Sequence, residues 1–265
     1  MTAAVLEGFE SFTFSHYGGA RDVYRRGAGP CVVEMHEVPG ITPEVARFAR
    51  RVADEGFTVF VPHLFGTPGK PFSTGYMLAG VLHCCISREF HVLAERGSSP
   101  ITEWLRALCR EGHAQCGGPG VGAIGMCITG NFALALMVDE SVMAPVLSQP
   151  SLPFPLTRAK RAAIHLSDAD LAVVRARARA GCGVLGMRFT SDPVVPAERF
   201  ATLARELGDG FEAIEIDSGP GNPHGISKQA HSVVTKDLVD EAGHPTRAAL
   251  ERVLAFFRER LLTAG

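Results

Sequence analysis

Short apolar runs that alternate with helical patterns along most of the chain are the strongest constraint on what it can fold into. Cys31-Val32-Val33-Glu34-Met35-His36 reads as a buried strand, ended by the turn Glu37-Val38-Pro39-Gly40. Thr42 stands where a helix N-cap would, with Pro43 at the first helical position. Val45, Phe48, Ala49, Val52 and Ala53 follow at the spacing of one helix face, Gly56 closes the helix, and residues 57–61 begin the next strand. Further strands are expected at 121–125, 183–189 and 211–217, and helices at 131–138, 167–180, 196–207 and 245–262. Residues 89–113 also look helical, broken at Gly97-Ser98-Ser99-Pro100. Parallel strands need long crossovers, normally helical, so the pattern implies an α/β class: a mostly parallel central sheet with helices on both faces.

At 265 residues the chain can bury one large core, and it shows no internal repeat, low-complexity tract or long linker. One domain over 1–265 is expected. The proline-rich stretch 145–155 reads as an excursion over the sheet edge, and a segment at about 140–182 as a cover for a pocket. A net charge of −2 gives no field that would draw nucleic acid or an anionic membrane. The N-terminus lacks a basic start followed by a long apolar run, and no stretch approaches eighteen apolar residues, so neither a signal peptide nor a membrane span is expected. The seven cysteines are an odd number without a CxxC pair or zinc-ligand spacing, and Cys84 and Cys85 are adjacent. Free thiols in a reducing, cytoplasmic setting and no metal are the expectation.

The chemistry-bearing feature is Gly125-Met126-Cys127-Ile128-Thr129-Gly130, between a strand and a helix. Such a turn lifts its central side chain above the sheet's C-terminal edge, and the helix N-terminus behind it favours a thiolate. The second glycine comes one residue later than usual, and a buried structural cysteine in a Gly-rich turn would look similar. In this kind of fold an acid and then a histidine follow the nucleophile, each after a later strand. Asp192, in Ser191-Asp192-Pro193, has that place, although an Asp-Pro turn or helix cap would also explain it. His231 and His224 both follow the last strand, and either meets the requirement; His244 beside Pro245 reads as a cap.

The segment His36-Glu37-Val38-Pro39-Gly40-Ile41, the pattern through 56–66, the Gly-x-Cys-x-x-Gly turn, the aspartate before Val-Pro and the late histidine together resemble the dienelactone hydrolase family, from about residue 30 onward. The resemblance implies the α/β-hydrolase fold and a Cys-His-Asp triad of Cys127, His231 and Asp192. It implies that Glu37 contacts the resting thiol and gates thiolate formation, and that the backbone N–H groups of Val38 and Ile128 form the oxyanion hole. From the residues alone, Glu37 could equally be a carboxylate bonded to loop amides. The family holds a substrate carboxylate with arginine; Arg88 is the candidate here, or else a surface residue. The implied activity is hydrolysis of small activated esters, lactones or thioesters by a cofactor-free carboxylic ester hydrolase, monomeric or homodimeric. Two other classes stay open: a redox-sensitive thiol protein, and a non-catalytic member of the fold that binds a small ligand.

Overall fold

The computed structural model describes residues 2–17, 19–86 and 99–262; Arg88 lies outside them. Its strands are β1 (Glu10–His16), β2 (Gly19–Gly27), β3 (Cys31–Met35), β4 (Thr58–Pro62), β5 (Val121–Met126), β6 (Val142–Ser148), β7 (Val184–Phe189) and β8 (Phe211–Ile216). They form one eight-stranded sheet in the order β1-β2-β4-β3-β5-β6-β7-β8. The β1–β2 and β2–β4 pairings are antiparallel and the rest parallel. Strands β3, β4, β5 and β7 are buried along their whole length, as expected of parallel strands covered on both faces.

The helices are α1 (Thr2–Val5), α2 (Pro43–Asp54), α3 (Thr74–Ile86), α4 (Pro100–Cys116), α5 (Gly130–Leu136), α6 (Arg158–Ala162), α7 (Asp168–Arg179), α8 (Ala197–Leu207) and α9 (Pro245–Leu261). Alternation along β3 divides the core. Cys31, Val33 and Met35 face one cluster with Trp104, Leu105, Phe132, Val174 and Leu203 from α4, α5, α7 and α8. Val32 faces the other, with Val45, Phe48, Val52, Leu250 and Val253 from α2 and α9. Thr42 caps α2 as its position suggests, its hydroxyl accepting from the Val45 N–H at 3.4 Å. Among the described residues no helix is long and apolar enough to cross a membrane.

Two features differ from the sequence expectation. The β1–β2 hairpin precedes the first expected strand; it packs on the core through the buried Val23 and the half-buried Phe12, Phe14 and Tyr24. Residues 142–148, expected within an excursion, are a central strand between β5 and β7. Proline argues against a central strand because it has no N–H to donate. Here Pro145 stands opposite Ala123 in the ladder to β5, while the ladder to β7 begins one residue later at Val146. The chain leaves the sheet only at Gln149.

Candidate active site

Strand β5 ends at Met126, and Cys127 turns the chain with φ +56°, a left-handed value for a residue with a side chain. Strain of this kind costs on the order of 1–3 kcal/mol and concentrates at functional sites. The glycines make the bend possible: a Cβ at Gly125 would lie 2.0 Å from the Thr129 carbonyl oxygen, and one at Gly130 would lie 2.6 Å from Pro150 Cα. This explains the late second glycine. Position 130 is where Pro150 crosses the turn, while the buried Thr129 faces inward. Its hydroxyl accepts from the Met126 N–H at 2.8 Å and donates to the Met35 carbonyl at 2.7 Å, tying the bend to the end of β3.

The half-buried Cys127 Sγ lies 3.4 Å from Ser151 Oγ and hydrogen-bonds the His231 side chain. His231 Nδ1 is 2.6 Å from Asp192 Oδ2, and the other oxygen of the buried Asp192 accepts from the Val194 N–H at 3.0 Å. Burial opposes charge on His231, but the charge of Cys127 and its hydrogen bonds to Asp192 and Cys127 outweigh it. The imidazole is thereby held well above its ordinary pKa. Asp237 pins the histidine loop, Oδ2 accepting from the His231 and Ser232 N–H groups at 2.8 and 2.9 Å. His224 is placed elsewhere: it is exposed and packs edge-on against His244, ring centres 5.3 Å apart.

Glu37 is buried at the other side of this loop. Its carboxylate accepts from Ser232 Oγ at 2.7 Å, Gln149 Nε2 at 3.2 Å and the Thr235 hydroxyl. Cys127 is not among these partners, so the thiol contact implied for Glu37 is replaced by contacts to the histidine loop. Burial raises its pKa, against those hydrogen bonds and the nearby His231. Gln149 accepts in turn from the Val233 N–H at 3.3 Å. Gln149, Ser151, Ser232, Thr235 and Asp237 are all missed by the sequence reading; they are common polar types with no spacing of their own, brought together only by the fold. Val38 follows Glu37 and Ile128 follows Cys127, and the Thr129 hydroxyl holds these two segments together. A cleft of about 460 Å³ opens beside His231, lined also by Pro193, Val194, Lys228 and Gln229. Among the described residues no three His, Cys, Asp or Glu side chains stand where they could share a metal ion.

His36 supports the same corner. Its Nε2 accepts from the Leu64 N–H at 3.1 Å, and Nδ1 lies 3.2 Å from the Glu37 carbonyl, which fits the neutral Nδ1–H tautomer. Full burial lowers its pKa to about 3. The unfolded chain therefore takes up a proton near pH 6.5 that the folded chain refuses until about pH 3. Stability is lost as pH falls through this window, by about 1.4 kcal/mol per unit from His36 alone. Glu34 and Glu37, whose pKa values burial raises, act in the opposite sense, so comparison with His36→Gln isolates the histidine. Urea unfolding between pH 4 and 6.5 is expected to show the wild type losing stability relative to that variant. Parallel profiles would contradict it.

Among curated proteins, none matches this sequence. Solved structures do, at low identity. A dienelactone hydrolase-like promiscuous phosphotriesterase from metagenomic libraries is 18% identical, with a TM-score of 0.59 over 96% of this chain and 99% of that one. Esterase 2 of Thermogutta terrifontis, solved phosphoramylated by tabun, is 15% identical, with a TM-score of 0.58 over 96% of this chain and 95% of that one. An α/β serine hydrolase without lid from Xanthomonas campestris is 12% identical, with a TM-score of 0.57 over 98% of each chain. These likenesses give the α/β-hydrolase fold. The sequence itself matches the model of the dienelactone hydrolase family over residues 20–261, and the chain belongs to that family.

Proposed function

We propose that this chain hydrolyses small activated carboxylic esters, lactones or thioesters through a Cys127-His231-Asp192 triad and an acyl-enzyme. The observation that carries the reading is the line from the buried Asp192 through the half-buried His231 to the sulfur at a left-handed strand-to-helix bend. Asp192 and the sulfur raise the His231 pKa against burial, which suits the imidazole to hold the proton it takes from the thiol. The thiolate attacks the acyl carbonyl, and the oxyanion is held by the Val38 and Ile128 N–H groups. As the intermediate collapses, His231 protonates the leaving oxygen or sulfur. Now neutral, it takes a proton from water, which attacks the thioester and returns the thiolate.

The leaving group decides the substrate class. A thiolate is expelled more readily than an alkoxide, so an intermediate formed from an alkyl ester falls back to substrate. Enol lactones, aryl esters and thioesters release groups that compete with it. Glu37 then acts as a positioning residue, holding the His231 loop through Ser232 and Thr235. Free thiols at Cys31, Cys109, Cys116, Cys127 and Cys182 fit a cytoplasmic setting.

Incubation with a p-nitrophenyl ester or an enol lactone is expected to give turnover. Acid quenching during the reaction is expected to trap the acyl group on the peptide that carries Cys127. Acylation of a different residue, or turnover that survives Cys127→Ala, would overturn the reading.

A further inference from the structure

The thiols outside the site form a second cluster. Cys31 opens β3 at the sheet edge opposite Cys127. Glu37 stands six residues further on, about 20 Å away at a strand's rise. Thr58, the first residue of β4, is the register partner of Cys31. Cys116 is the last residue of α4 and is half-buried, whereas Cys31 is fully buried. The two thiols are close enough for each to shift the other's pKa, and Thr58 also acts on Cys116. Gly112, four residues before Cys116, permits the approach: a Cβ there would lie 2.6 Å from Cys31 Sγ. Arg25, whose guanidinium reaches Gln115 Oε1 at 3.3 Å, brings positive charge to the pair.

We propose that Cys31 and Cys116 are a redox modification site which hydrogen peroxide converts into an intramolecular disulfide, stapling β3 to the end of α4 independently of any chemistry at Cys127.

The environments assign the two roles. Cys31, with help from Thr58 and Arg25 and against burial, brings the Cys116 thiol down to about 6. Half-exposed, it meets the oxidant as a thiolate at neutral pH. Burial holds the Cys31 thiol well above its usual value. Cys116 therefore attacks first. Its sulfur bonds one peroxide oxygen, the O–O bond breaks, hydroxide leaves, and Cys116 becomes a sulfenic acid. The Cys31 sulfur then bonds the Cys116 sulfur, and the sulfenic hydroxyl leaves with the Cys31 proton as water. Two thiols lose two electrons to one peroxide, which becomes two waters. Cys109 and Cys182 lack this arrangement; both are buried and raised by that burial.

The test uses the full chain carrying Cys127→Ser, because Cys127 is itself oxidisable and shares the tryptic peptide 111–158 with Cys116. After one equivalent of hydrogen peroxide and alkylation of the remaining thiols, peptides 27–47 and 111–158 are expected as one linked species that dithiothreitol separates. Closing so long a loop is expected to raise Tm by about 5 °C or more. Adding Cys116→Ser should abolish both the link and the rise. Cys116 recovered as an unlinked sulfinic acid, or both cysteines still alkylatable after other thiols have been oxidised, would overturn the proposal.

Discussion

Replacing His231 by alanine is expected to lower kcat/KM for an activated ester by about 10²–10⁴-fold, while His224→Ala stays within about threefold of wild type. Three tasks converge on His231 in the proposed cycle: stabilising the thiolate, protonating the leaving group and activating water. Of the two histidines, His231 has the geometry for them, with Nδ1 held by Asp192 at 2.6 Å and its ring beside Cys127. His224 faces solvent against His244. Added imidazole separates a chemical role from a structural one, since it can occupy the vacated space and restore part of the His231→Ala rate. A destabilised loop would gain nothing from it. Small, equal losses in the two variants would remove the basis for the mechanism.

The contrast between the two histidines marks where the sequence stops being informative. Both lie beyond β8 on a segment without regular structure until α9, and chain order cannot rank them. The choice is made by Asp237, which fastens the His231 backbone, and by Ser232 and Thr235, which fasten the same loop to Glu37. These contacts span up to 198 residues and leave no local pattern. The bend at Cys127 is more legible, because the close approaches at 125 and 130 can be met only by glycine. Strands β3, β4, β5 and β7 are legible for a related reason: burial on both faces makes them continuously apolar. The β1–β2 hairpin and β6 escape, the first because it is mostly exposed, the second because Pro145 imitates a loop signal.

Arg199 illustrates a dependence that no motif announces, and Arg199→Met is expected to lower stability by about 3–5 kcal/mol. The side chain projects from α8 and is fully buried, yet its partners are four backbone carbonyls: Pro150 at 2.5 Å, Pro153 at 2.6 Å, Ala163 at 2.9 Å and Lys160 at 3.2 Å. Burial, then Arg161, brings its pKa down to about 10, so it keeps its charge at neutral pH. Methionine fills much of the same space but donates nothing, leaving the buried Pro150 and Pro153 carbonyls, and the half-buried contacts to Ala163 and Lys160, without this donor. A loss of that size corresponds to a fall in Tm of roughly 10 °C. Function is expected to suffer beyond stability, because the clasped segment includes Ser151, whose N–H donates to the Cys127 carbonyl at 3.0 Å and whose hydroxyl touches the sulfur. Displacement of a supporting segment by about 1 Å can cost 10²-fold in rate, so kcat measured well below Tm should fall at least tenfold. Arg199→Lys retains the charge but not the planar fork, and its Tm should lie between the other two. A variant Arg199→Met that melts within about 2 °C of wild type would show that the segment holds its place without the clasp.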